Sequence, residues 1–367
     1  MVFLLVLSFI FSAVTCILLV SRMKLHARSY DAHKPQRFHA GDVPRTGGVG
    51  ILAGTILGWV AAVLAYFFES SLNLQLTGLF FLQLLLALLP AVFGGIFEDI
   101  SQRLSVRYRL LLTGVSAALA CTLFDTAISR LGILGVDSML IAAPWLGIAL
   151  AFFAIAGLPH ALNIIDGYNG LAGTVALFIC LAIVYVALQL GDRQLAAIVI
   201  CVVGATAGFL LWNYPRGLIF AGDGGAYLWG VVIAVASILL VQRHDAVSPW
   251  FPMLLLIYPV WETVFSIYRK LARGGSPGVA DALHFHQLIY RRIVRGVFHD
   301  DESRRMLMRN NRTSPYLWSF ALTTVVPAVL FWRHTGILMA FCGLFVVTYV
   351  GFYIAIIRFK VPRWLRR

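Results

Sequence analysis

Charge is scarce in this chain. Only 12% of its 367 residues are Asp, Glu, Lys or Arg, and 60% are hydrophobic. A soluble domain carries about twice that charged fraction, so a free-standing soluble enzyme or binding module is excluded. Cysteine is scarce as well: Cys16, Cys121, Cys180, Cys201 and Cys342 all lie in apolar segments, where a thiol behaves as a small hydrophobe. That usage gives neither a disulfide framework nor a thiolate metal site. Internal repeats of the inverted kind found in transporters are missing. The first run, 1–20, lacks a basic leading region and a small-residue cleavage site, so a retained helix is expected there instead of a removed signal peptide.

What is abundant is apolar sequence in lengths that fit a bilayer. Windows of about 20 residues recur at 1–20, 48–68, 78–97, 108–127, 140–160, 171–191, 195–212, 225–242, 250–270, 316–333 and 335–357. The expected fold is an all-α, polytopic membrane protein with about eleven transmembrane helices, forming one domain over 1–367. With eleven crossings, 25 of the 29 Lys and Arg residues fall in loops on one side, at about 21–46, 98–109, 161–170, 213–224, 271–315 with the end of the preceding helix, and the C-terminal tail. Arg130, Arg193, Arg243 and Arg333 fall on the other. The positive-inside rule then places the N-terminus outside and the C-terminus in the cytoplasm. The net charge of +13 is read as topology and attraction to anionic lipid headgroups, not as a nucleic-acid footprint. Segment 271–315 is too small for a separate domain, and a short helix is expected within it from Asp281 to Val297.

Sixteen acids are few enough to weigh singly. Asn163-Ile164-Ile165-Asp166-Gly167-Tyr168-Asn169-Gly170 puts polar chemistry beside a membrane span, where an ionisable side chain is costly unless it faces a wet, protein-lined cavity. The plain alternative is a set of Asx turns capping helix ends. Three further loops on the same predicted face offer similar groups: Glu98-Asp99 after the third run, Asp223 in Phe220-Ala221-Gly222-Asp223-Gly224-Gly225 before the eighth, and Asp281 ahead of His284-Phe285-His286. Oxygen ligands without thiolates select a hard cation, Mg2+ or Mn2+, and such an ion serves phosphate chemistry by neutralising phosphate oxygens. Arg37, Arg45, Arg103, Arg107, Arg291 and Arg292 could hold further phosphate charge, although each reads equally as a topogenic or solvated residue. Gly47-Gly48 and Gly94-Gly95 fit close helix packing as well as they fit binding. Glu262, seven residues before Arg269 on one helical face, reads first as an internal ion pair or packing contact.

With these residues in order, the chain resembles the polyprenyl-phosphate N-acetylhexosamine-1-phosphate transferases, the membrane family that includes phospho-N-acetylmuramoyl-pentapeptide transferase. The segment with Arg37, His39, Pro44-Arg45 and Gly47-Gly48 looks like that family's first cytoplasmic loop. Glu98-Asp99 resembles its paired acids, Asn163 to Leu171 its Asn/Asp loop, Phe220 to Asp223 its Gly-Asp loop, and His284 to His286 its histidine motif. The resemblance implies transfer of a sugar-1-phosphate from a UDP-sugar to undecaprenyl phosphate in the bacterial cytoplasmic (inner) membrane. UMP leaves, and the lipid-linked diphosphosugar starts a surface glycan such as lipopolysaccharide O-antigen, capsule, exopolysaccharide or cell wall. It further implies that Asp223, supported by Asp166, holds the metal and that Phe220 stacks on uracil. Asn163 and Asn169 would contact the nucleotide, and Asp99 with Glu98 would deprotonate or orient the lipid phosphate. His284 and His286 would hold the diphosphate, with Arg45 and His39 also binding substrate. Glu98 stands where better-known members have Asp, and Asn169 where many have an acid. A homodimer is compatible with the sequence.

Two other classes compete. A secondary transporter or anion channel would place its ionisable residues near the bilayer midplane, whereas most of these sit at helix ends. A phosphotransferase of CDP-activated alcohols would carry one aspartate-rich helix motif, which is missing.

Overall fold

The computed structural model describes residues 1–27, 43–68, 76–274, 283–294, 296, 297 and 299–358, and among them all regular structure is helical. Arg37, His39 and Asp281 lie outside the described residues. The elements are α1 (Val2–Ala27), α2 (Gly47–Phe67), α3 (Gly78–Ser101), α4 (Val106–Phe124), α5 (Leu134–Ala142), α6 (Pro144–Ile165), α7 (Leu171–Gln189) and α8 (Arg193–Asn213). There follow α9 (Gly222–Arg243), α10 (Trp250–Leu255), α11 (Ile257–Ala272), α12 (Phe285–Leu288) running into a π-helical turn (Ile289–Ile293), α13 (Glu302–Leu330) and α14 (Thr335–Ile357).

Among the described residues nine helices are long and apolar enough to cross a membrane: α1–α4, α6–α9 and α14. The two remaining apolar runs take other forms. Run 250–270 is divided at Leu256 into α10 and α11. Pro259 lacks the N–H that would bond the Leu255 carbonyl, so the α ladder cannot continue through that turn. Run 316–333 is the second half of α13, a helix that starts at Glu302 with a charged first half. The expected span at 140–160 begins instead at Pro144, which takes the first helical position of α6, and α5 is a separate short helix before it. The helix expected over Asp281–Val297 is shorter, confined to α12 and its π turn.

α9 is the axis of the molecule, buried along nearly its whole length against α2, α3, α6, α7 and α8. Glycine lets its neighbours come close. A Cβ on Gly230 of α9 would sit 2.4 Å from the backbone of Pro159 in α6. At the other edge, α1 lies between Gly50, Gly54 and Gly58 of α2 and Gly204 and Gly208 of α8; added Cβ atoms there would come within 2.1–2.5 Å of α1. Without a hydrophobic drive between helices in lipid, this close van der Waals packing is what joins them.

Candidate active site

The first turn of α9 is the meeting point. An α-helix starts with amide groups that have no partner inside the helix, and here carboxylates from two other helices take them. Asp99, near the end of α3, accepts from Asp223 N at Oδ1 and from Gly224 N at Oδ2, both at 2.9 Å. Asp166, which ends α6, accepts from Gly222 N at 3.0 Å. Negative charge at a helix N-terminus is also favoured by the helix dipole. The chain reaches α9 through a backbone pairing: Phe220 N donates to the Pro44 carbonyl at 2.9 Å, and Gly47 N and Gly48 N donate to the Phe220 and Ala221 carbonyls at 2.9 Å. Gly222 turns the chain with φ +70°, and a Cβ there would lie 2.3 Å from the Arg45 carbonyl oxygen and 2.4 Å from Asp99 Oδ1. Only glycine fits both the angle and the space.

Asp223, the first side chain of that turn with an ionisable group, is held from three sides. Its Oδ1 accepts from Asn163 Nδ2 at 2.9 Å, and its Oδ2 accepts from Arg109 Nη1 at 2.8 Å and from the Tyr227 hydroxyl at 3.1 Å. Tyr227 in turn packs edge-on against His160, whose Nε2 lies 3.0 Å from Thr113 Oγ1. Asp166 is more enclosed. Burial pushes its carboxyl up to about 7; the Gly222 N–H and the charge of Arg45 pull it down, and Asp223 adds to the rise. Glu98 accepts from Leu104 N at 2.7 Å and so closes the turn after α3.

The histidine segment borders the same loop. The rings of His284 and His286 stack at 5.2 Å with 5° between planes, His286 meets Tyr168 edge-on at 5.5 Å, and His286 Nε2 lies 3.9 Å from where a Cβ on Gly167 would sit. His284 caps α12 in a reciprocal capping box with Gln287. Asn169 takes other partners: its N–H donates to Asn310 and its side-chain amide to Asn311, both on α13. Phe220 is buried, and its backbone makes the pairing just described. The structure thus brings Asp99, Asp166, Asp223, Asn163 and Arg45 to one helix end, with Glu98 at its edge. The histidines lie across the Asp166 loop, and Asn169 is directed to α13.

A family model described as Glycosyl transferase family 4 matches residues 81–241, the stretch that holds Glu98, Asp99, Asn163, Asp166, Phe220 and Asp223. The chain is 26% identical over 294 residues to the Bacillus subtilis (strain 168) protein named "Probable undecaprenyl-phosphate N-acetylglucosaminyl 1-phosphate transferase", covering 77% of this chain and 76% of that one. Residues 81–241 are thus similar to glycosyl transferase family 4. Two further relatives are the Thermotoga maritima undecaprenyl-phosphate alpha-N-acetylglucosaminyl 1-phosphate transferase and the Beutenbergia cavernae phospho-N-acetylmuramoyl-pentapeptide-transferase. The first is 30% identical, covering 56% of this chain and 60% of the relative; the second is 31% identical, covering 56% and 66%.

The family match leaves outside it Arg45 and both histidines, which the fold nevertheless carries to the matched core. Sequence reading missed Arg109, Tyr227 and His160. Arg109 was hidden among topogenic cations. Tyr227 stands four residues after Asp223 and so on the same helical face. His160 is an ionisable group inside an apolar run, which is by itself a signal.

Proposed function

We propose that this protein transfers an N-acetylhexosamine-1-phosphate from a UDP-sugar to undecaprenyl phosphate. The observation that carries the reading is the convergence of three aspartates, Asp99, Asp166 and Asp223, on the N-terminus of α9 beside a histidine loop, in a chain whose relatives are named for that transfer. An oxygen of the lipid phosphate attacks the sugar-bearing phosphorus of the donor, the bond to the bridging oxygen breaks, and UMP leaves with that oxygen. A phosphate dianion is an adequate nucleophile, so no covalent aspartyl intermediate is needed, and positioning and electrostatics carry the rate.

Eleven crossings, with α10–α11 and the second half of α13 completing the nine, put the ends of α3 and α6 and the start of α9 on one side. The charge pattern assigns that side to the cytoplasm. An apolar cavity of about 890 Å3, lined among others by Leu158, Ala161, Met253, Trp261 and Val347, lies between α6, α9, α10–α11 and α14. Ala161 is on the last turns of α6, just before Asn163 and Asp166, so a prenyl chain held in this cavity would have its phosphate at the carboxylates.

Among the described residues no group of three His, Cys, Asp or Glu could hold an ion alone. Asp166 and Asp223 are oxygen donors on either side of Gly222, which suits a hard cation held by one or two carboxylates and completed by substrate phosphates and water. Mg2+ or Mn2+ bound there would neutralise the diphosphate. Asn163, Arg109 and Tyr227 orient Asp223, and Arg45 brings positive charge to the anions. Asp99 has both oxygens on backbone amides, which favours holding α9 over moving a proton. His284 and His286 border the place for the diphosphate, and Phe220 is assigned to the uracil. The product would start a bacterial surface glycan.

Purified protein with undecaprenyl phosphate, Mg2+ and a panel of UDP-sugars tests the proposal. UMP is expected only with lipid, cation and intact Asp223, and Asp223→Asn is expected to abolish it. No UMP from any donor, in folded protein, would favour the transporter class and call for flux assays.

A further inference from the structure

The two stacked histidines have different anchors. His286 reaches Gly167 and the Asp166 loop, whereas His284 is tied inward to Glu262 on α11, a side chain with no exposed surface. Glu262 Oε1 lies 2.9 Å from His284 Nδ1 and accepts from Phe285 N at 3.1 Å, and Oε2 accepts from the Tyr349 hydroxyl at 2.7 Å. Donors therefore reach one carboxylate from the start of α12 and from α14. A buried carboxylate without such partners is strongly destabilising, so the pocket is arranged for an anion. With Phe285 and Tyr349 donating, the Nδ1 proton of His284 completes the set. The imidazole is rigid, so bonding Nδ1 inward leaves Nε2 on the opposite edge of a ring stacked on His286. Arg269, from the next turns of α11, donates to the Leu283 carbonyl and to the Tyr353 hydroxyl, which fixes the backbone entering His284.

We propose that Glu262 is a positioning residue for the transfer reaction, acting through His284: it holds the Nδ1 proton so that Nε2–H is presented to a phosphate oxygen of the diphosphate. A carboxylate behind an imidazole is the general means by which proteins fix its tautomer and ring orientation. α11 also supplies Trp261 and Val264 to the apolar cavity, so one helix serves both the lipid cavity and the diphosphate site. The inference rests on the transferase reading.

The test uses the full-length protein, undecaprenyl phosphate and UDP-N-acetylglucosamine, with UMP release as readout. A wild type without turnover counts against the transferase reading, and the Glu262–His284 link is then judged by the spectroscopic measurement below. With an active wild type, Glu262→Gln keeps the shape and removes the charge. It is expected to lower kcat by about 10–100-fold, with a smaller change in KM. The double variant Glu262→Gln/His284→Gln is expected to be no slower than His284→Gln alone, because the two residues act as one unit. Wild-type activity in Glu262→Gln, or losses that multiply in the double variant, would overturn the proposal. The spectroscopic measurement needs no altered carboxylate: in 15N-histidine-labelled wild type, with His284 assigned by its loss in His284→Gln, Nδ1 is expected to be protonated and hydrogen-bonded. A bare Nδ1 would overturn the proposal whatever the kinetics.

Discussion

Asp99 and Asp223 sit at the same helix end, and their bonds differ in kind. Asp99 spends both oxygens on backbone amides of α9, while Asp223 is held by side chains that can reorganise around a substrate. Asp99→Asn would place an amide N–H against a backbone N–H and leave a buried donor unmet, a cost of about 1–3 kcal/mol. It is therefore expected to lose both thermal stability and activity, whereas Asp223→Asn loses activity with a melting temperature close to wild type. Thermal unfolding and UMP release on the two variants check this; equal stability in both would contradict it. Asp166 gives a pH prediction. Its carboxyl titrates at about 7 in the folded protein, above its ordinary value, through burial. The cation-free protein therefore loses stability as pH rises from the ordinary carboxylate range toward 7 and levels off above it, and a cation that needs the carboxylate binds more tightly over the same interval. Melting curves with and without Mg2+ between pH 5.5 and 8 should show both slopes, and Asp166→Asn should flatten them. The residue types were legible in the sequence because acids are so few. Which carboxylate is spent on backbone amides and which is held by side chains was not, because that depends on groups brought from other helices. Glu262 shows the same limit: its spacing pointed to Arg269, and its hydrogen-bonded partners are His284, Phe285 and Tyr349.

At the scale of elements, the start of α9 is held by close approach. A Cβ on Gly48 of α2 would lie 2.2 Å from Gly225 N, and one on Gly95 of α3 would lie 2.6 Å from Gly224 N. The glycine pairs that sequence left open between packing and binding therefore act through packing: they let two helices close on the turn that carries Asp223. Gly95→Ala is expected to displace that turn and remove most activity, while Gly351→Ala on α14, with nothing within 4 Å, is expected to leave it unchanged. UMP release from the two variants distinguishes the cases, and equal activity would contradict the packing role. Helix ends were legible where a loop signal stood beside them, as at Gly222. The division of α10 from α11 was not read, although Pro259 signals it, because the apolar window runs across the break. The early start of α13 was hidden by its polar composition; it forms a helix there because Asn310, Asn311 and Ser314 pack on Asn169 and its neighbours.

For the whole molecule, apolar run length alone located helical structure at each of the eleven expected places, one of them divided into two helices, and among the described residues nine helices meet the length and composition of a membrane span. Run length works because a bilayer demands that each crossing satisfy its own backbone bonds. The site was legible as a set of loops sharing one charge-marked face, and the depth at which each side chain sits was not. In the proposed transfer, phosphate travels with the sugar to a lipid. UDP-N-acetylglucosamine labelled with 32P on the phosphate next to the sugar, incubated with undecaprenyl phosphate, Mg2+ and the protein, measures it directly. The expected result is label in the lipid phase, one UMP per lipid labelled, and none of either with Asp223→Asn. Label that stays in water as UDP while the sugar moves, or that stays on intact donor with folded protein, would contradict it.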